Sequence, residues 1–363
     1  MTIHKSVKFT LDGKSKFTVG DETYRWDGRW IDLVNIWSGD SGKTYTSTVT
    51  LEGANWGIST IRFVGQANMK VVITDGDSKS GRNIDHLELG NAGSTVKLLS
   101  TNVDFMRGSD AIDKVTVGDG WIGAVRLKGG NDVFAAGDGG AGSIEMGHGN
   151  DKVTAGSGGI DQINLGDGNN VFVGGSGWVG SVTAQDGNDT FTLGNAGVDM
   201  INMGKGTNSL SFSGDGYIGS IVAYEGDDTV NYSGDESIDS LHLGHGDNVI
   251  NITGAGYIGE LMTYDGDDTL VHNGTNDYAG TFNLGNGDNS VTFGATWFDA
   301  IITYGGDDTI TTGAGGGSAI IAGGGDNEIT TGDGWVGAVI AFGGADVLSI
   351  GAGGVGMANL YGG

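Results

Sequence analysis

Cysteine is absent from the 363 residues, which excludes disulfides, zinc thiolates and cysteine nucleophiles. Proline is absent too, where roughly 5% is usual. A collagen helix and a proline-rich linker are thereby excluded. A central strand needs every backbone N–H for its ladder, so a proline-free chain suits a fold of stacked strands. No stretch approaches 18 apolar residues, so the sequence offers no membrane-spanning helix. The first residues, MTIHKSVKFT, lack the apolar run of a signal peptide. Basic residues are scarce beyond position 117. Residues 118–363 hold 4 Lys/Arg against 31 Asp/Glu, whereas residues 1–117 hold 14 of each. The net charge of −27 therefore belongs to the second part. Such a chain repels nucleic acid and anionic lipid and attracts cations.

Glycine, by contrast, fills 74 positions, and apolar residues reach 37%, too many for a disordered polyelectrolyte. From Gly118 onward the sequence stacks on itself every 19 or 20 residues, as in GSGWVGSVTAQDGNDTFTL beside GDGYIGSIVAYEGDDTVNYS. Each unit holds two short β-prone runs bounded by glycine-rich turns. A fixed period of this length predicts an all-β parallel β-roll or β-helix solenoid of about 13 coils of 19–20 residues. At about 4.8 Å per coil it forms a rod of about 60 Å. Two apolar ladders are expected to face inward. One starts at Val125, Ile144 and Ile163 and reaches Val339; the other starts at Phe134, Val153 and Phe172 and reaches Leu348. Two aromatic columns alternate with small residues. Trp178, Tyr217, Tyr257, Trp297 and Trp335 form one; Tyr224, Tyr264, Tyr304 and Phe342 form the other. Both are read first as packing over a neighbouring glycine. Residues 57–117 read as degenerate coils, and residues 1–56, with Trp26, Trp30, Trp37 and Trp56, as a β cap or small β domain that shields the open edge.

One turn per coil is acidic. Its last position alternates Asp and Asn from Asn170 on; the Asp members are Asp132, Asp151, Asp189, Asp228, Asp268, Asp308 and Asp346. The preceding position is acidic in six successive coils, at Asp227, Asp247, Asp267, Asp288, Asp307 and Asp326. Carboxylates about 4.8 Å apart repel by about 0.9 kcal/mol in water and about 3.5 at an effective dielectric of 20. Such a column needs full hydration or counter-cations. Calcium suits it, because it accepts carboxylates and backbone carbonyls in flexible geometry, whereas magnesium demands a stricter octahedron.

GGNDVF at 129–134, DGNDTF at 186–191, DGDDTL at 265–270 and GGDDTI at 305–310 carry the G-x-D-x-U core of a nonapeptide in which U is a large apolar residue. On these residues the stretch 118–363 resembles the RTX, or hemolysin-type, calcium-binding repeat. The resemblance implies a parallel β-roll with calcium between adjacent coils, and the family's Asp maps onto Asp132, Asp151, Asp189, Asp228, Asp268, Asp308 and Asp346. It also implies a secreted or cell-surface protein exported without an N-terminal signal. RTX coils usually carry two nonapeptides and these carry one, so one row of ions along a single edge is expected.

Other signals are weaker. GxGxxG recurs, as GDGWIG at 118–123, but a strand rather than a helix follows, so it reads as a tight turn. The six histidines show no ligand spacing, although His148 and His245 sit in acidic turns. No G-x-S-x-G elbow occurs, and no carboxylate pair stands out from the repeat, so the chain is not read as an enzyme. The reading is a non-catalytic extracellular calcium-binding β-roll, serving as a structural, adhesin or surface-layer element. The alternative is a carbohydrate-binding or carbohydrate-modifying β-helix that uses the aromatic columns. Partners in view are calcium, polysaccharide, or copies of the chain end to end, because NLYGG stops where the next acidic turn would begin.

Overall fold

The computed structural model describes residues 58–64, 68–73, 83–274 and 278–362 with their side chains, and the strands between 5 and 57 and residues 74–75 as backbone. The side chains of Trp26, Trp30, Trp37 and Trp56, assigned above to the β cap or small β domain, lie outside the described residues. The chain forms two compact units, Met1–Val182 and Thr183–Gly363. Every regular element among the described residues is a β-strand, and the architecture is the expected parallel β-solenoid.

In the first unit, Trp30–Trp37, Gly57–Val64, Asn83–Glu88, Asn102–Arg107, Ile122–Arg126, Ala141–Glu145 and Ile160–Gly166 pair in that order, all parallel. A second sheet stacks Tyr45–Glu52, Met69–Asp75, Ser94–Leu98, Lys114–Val117, Val133–Ala135, Lys152–Thr154 and Val171–Val173 in the same way. Lys5–Lys8 runs antiparallel to Trp30–Trp37, and Ser15–Val19 runs antiparallel to both Glu22–Trp26 and Tyr45–Glu52. These strands occupy the edges that the first rungs would otherwise leave open. The second unit repeats the plan. One sheet runs from Val198–Gly204 to Val355–Tyr361. The other runs from Thr190–Leu193 to Val347–Ile350.

Register sets like on like: Ile201 pairs with Ile221, Leu241 with Leu261, Leu210 with Val230. Both apolar ladders are buried as expected, at 0–2% exposure, except Leu348 in the last rung, which is half-buried. Further inward columns fill the space between the sheets, with Leu127, Met146 and Leu165 in the first unit and Met203, Leu243 and Leu284 in the second. Glycine in the turns answers to close backbone approach. Gly246 has φ +127°, and a Cβ there would collide with the carbonyl of Gly226 one coil before.

The two aromatic columns differ. Trp121 lies over Gly140 and Gly142 of the next coil, and Trp335 over Gly356, with ring atoms 3.1–3.5 Å from where a Cβ would stand. Trp297 and Trp335 stack at 6.3 Å. At Trp335 the column packs over glycine as expected, whereas Tyr257 stacks on Tyr278 of the next coil at 5.7 Å. In the tyrosine column the glycines serve the backbone instead. A Cβ on Gly244, Gly285 or Gly323 would strike the carbonyl of Tyr224, Tyr264 or Tyr304, and the rings stand 48–53% exposed at Tyr264 and Tyr304.

Phe282 is fully buried and meets Phe293 edge-on at 4.9 Å. Phe282→Ala is expected to lower stability by about 3–5 kcal/mol in urea unfolding, because the flanking rungs are fixed by their own ladders and cannot collapse into the gap.

Candidate functional site

The acidic turn splits the sequence-predicted metal ligands between two faces. Asp132, Asp151, Asp189, Asp228, Asp268 and Asp308, the residues matching the RTX aspartate, point into the coil and are 0–1% exposed. Asp346 is partly buried in the last such turn. Asp227, Asp247, Asp267, Asp288, Asp307 and Asp326 point outward and are exposed. Two adjacent residues leave an extended segment on opposite sides, and the glycine before each pair, such as Gly226 at φ +122°, sets which side is which.

The inner column is a side-chain-to-backbone ladder. In the first unit the N–H of Asp132 donates to Asp151 Oδ1 at 2.7 Å, and that of Asp151 to Asn170 Oδ1 at 2.9 Å. In the second unit the series runs through Asp189, Asn208, Asp228, Asn248, Asp268, Asn289, Asp308 and Asn327 to Asp346, at 2.8–3.1 Å. Each Asx therefore ties a coil to the one before it. The ladder begins at Asp113, which sequence reading missed. Asp113 accepts from the Ser94 N–H at 2.7 Å and donates its own N–H to Asp132 Oδ1 at 2.7 Å. Its signal was present: DKVTV at 113–117 repeats as DKVTA at 151–155.

The Asn members do more than the Asp members. Asn248 and Asn289 use Nδ2 to donate to the Gly246 and Gly287 carbonyls at 2.8 and 2.9 Å. The same amides reach Oδ1 of Asp268 and Asp308 at 2.9 and 3.0 Å. In the Asp coils the second carboxylate oxygen has nothing to donate. Oδ2 of Asp132, Asp151 and Asp228 is buried without a hydrogen-bond partner among the described residues, whereas the Thr263 and Thr303 hydroxyls lie beside the carboxylates of Asp268 and Asp308. Burial accordingly pushes the carboxyl groups up, to about 7 at Asp132 and Asp228 and about 6 at Asp151 and Asp268. At Asp132, repulsion from Asp113 and Asp151 adds to the effect.

The outer column bonds in the opposite sense. The N–H of Asp247 donates to Asp227 Oδ1, that of Asp267 to Asp247, and so on through Asp288, Asp307 and Asp326 to Ala345, at 2.7–2.9 Å. One carboxylate oxygen per coil is thereby held in place. An ion midway between oxygens of adjacent coils, about 4.8 Å apart, lies about 2.4 Å from each, inside the range of roughly 2.3–2.6 Å that calcium uses. At that spacing two outer carboxylates of adjacent coils would reach one calcium ion, with its other positions left to water. Among the described residues, no three His, Asp or Glu side chains converge as a closed cage. His148 and His245 each face the aspartate of the next coil, Asp167 at 3.0 Å and Asp265 at 3.2 Å.

Comparison with protein-family models, with curated proteins and with solved structures gives no match. Among the described residues, no helix is long and apolar enough to cross a membrane.

The inner aspartates make stability pH-dependent. Their folded pKa lies above the ordinary 3.8, so the folded state prefers the proton. Their favourable contribution is complete below about pH 3.8 and is lost as pH rises through about 6 to 7. His272, buried against Phe293, runs the other way: burial lowers it to about 4, so its contribution is complete above about 6.5 and lost as pH falls through 4. Asp228→Asn, which supplies the missing donor, is expected to add about 1 kcal/mol or more at pH 7.5 and close to nothing at pH 4, read from melting temperatures at the two values.

Proposed function

We propose that the chain is a non-catalytic extracellular scaffold, a β-solenoid whose outer aspartate column gathers calcium in a single loose row. The observation that carries this reading is the set of six successive exposed aspartates, Asp227 to Asp326, each with Oδ1 fixed by the backbone of the following coil. A column of like charges at coil spacing raises the local potential, and a divalent cation between two rungs relieves it. With two protein oxygens and the rest water, affinity falls in the weak class of roughly 10⁻⁴–10⁻³ M typical of extracellular modules. The RTX-like repeat supports the same compartment, while its own motif aspartates are the inner ones and lie off the proposed row. In this reading calcium tightens coils that the inner ladder already joins, and the solenoid serves as a structural, adhesin or surface-layer element.

Calcium that binds the folded state alone raises its stability by mass action. The melting temperature followed by circular dichroism is expected to rise by several degrees between chelator and about 10 mM calcium. It is expected to rise much less in sodium chloride of equal ionic strength. The double variant Asp267→Asn, Asp288→Asn should lose part of the calcium increment. An equal response to sodium would make the column a solvated edge and defeat the proposal.

A further inference from the structure

The exposed tyrosines of the second unit bound a cleft of about 370 Å³ between Tyr264 and Tyr304, two coils apart. The intervening coil contributes Asn283, Gly285 and Asn286, and Met262, Thr263, Asp265 and His245 complete the lining. One coil before Tyr264, the protein lays a ring of its own against that tyrosine. That coil carries Gly244 and His245, and the imidazole stacks on Tyr264 at 5.3 Å and 30°. At the position of His245 the next-but-one coil has Asn286, whose short side chain turns to the Asp265 carboxylate at 2.8 Å. At the matching position after Tyr264 the short Asn286 leaves the cleft open.

Its rim is polar and fixed. Asn286 holds Asp265 Oδ1. Asn283 donates to the Tyr304 hydroxyl at 3.2 Å and accepts from the Gly285 N–H at 3.2 Å. Carboxylate, amide and phenol oxygens within one cleft match a ring that carries several hydroxyls. The separation of the walls selects the ring further. A flat aromatic in contact with both tyrosine faces needs them about 7–8 Å apart, whereas two coils span about 9.6 Å. A puckered ring with axial hydrogens is thicker and fills that gap. Charge narrows the choice again, because Asp265 and the neighbouring outer aspartates disfavour phosphate or carboxylate on the ligand.

We propose that the cleft between Tyr264 and Tyr304 is a binding site for a neutral pyranose ring, stacked on tyrosine and hydrogen-bonded by Asp265, Asn283 and Asn286. This site is separate from the tryptophan column, whose rings lie over glycines, and from the aspartate column proposed for calcium.

The full chain, titrated calorimetrically with neutral tetrasaccharides of glucose and of N-acetylglucosamine, is expected to bind at least one of them at one site per chain. Binding should persist in chelator, which separates this site from the calcium proposal. Tyr264→Ala is expected to weaken it by about tenfold or more. Asn286→His, which places an imidazole in the cleft at the position His245 holds one coil before Tyr264, is expected to abolish binding with the circular dichroism spectrum and melting temperature retained. The proposal is overturned if no neutral sugar in the set binds, if Asn286→His binds as the parent chain does, or if adenosine or indole occupies the cleft in preference to the sugars.

Discussion

Parallel strands stacked in register place every side chain beside its counterpart in the next coil. For apolar residues this is favourable without qualification. Ile201 on Ile221 and Leu241 on Leu261 bury their surface against each other and leave few gaps. For polar residues the same constraint is severe, because whatever a position carries is repeated about 4.8 Å away. The Asx ladder meets that constraint. Each inner Asx offers Oδ1 to the backbone of the preceding coil, and each outer Asx offers Oδ1 to the backbone of the following one. The turn is thus bonded in both directions by side chains, at the place where strand pairing gives way.

The two-coil period follows from the same constraint. Buried carboxylates in adjacent coils would face each other as charges in a low-dielectric interior, which neither desolvation nor repulsion favours. Alternating Asp with Asn keeps the ladder's acceptor in every coil and halves the number of acids. The amide also gains a bond to the glycine carbonyl that a carboxylate cannot make. Burial raises the carboxyl group to about 7 at Asp132 and at Asp228 alike; where the alternation is missing, at Asp113, Asp132 and Asp151, repulsion from both neighbours is added to that desolvation at Asp132. The outer column needs no such relief, because water and mobile cations reach it.

Alternation also shapes the surface. A bulky ring in one coil and glycine in the next give the tyrosine edge its clefts, and the residue after the glycine decides whether a cleft is filled. His245 lays its ring on Tyr264, and Asn286 at the matching position of the next-but-one coil leaves a cleft open. A single exchange within an otherwise regular repeat therefore distinguishes one part of the solenoid from another.

The solenoid was readable in the amino-acid order because in-register stacking converts three-dimensional contact into linear period. A residue at Ile144 must resemble those at Val125 and Ile163, since they touch. The conversion fails for direction. Asp227 and Asp228 are neighbours in the chain and chemically identical, yet one meets solvent and the other lies within the coil. Which is which depends on the backbone angle at Gly226 and on the close passage of the preceding coil. Composition and spacing therefore determined the architecture, the ladders and the acidity of the turn. Only the folded coil decided which carboxylates face solvent, which are pushed by burial to hold a proton, and where the tyrosine edge leaves a cleft. Orientation at a turn is a property of torsion angles and neighbours, and a repeat pattern records neither.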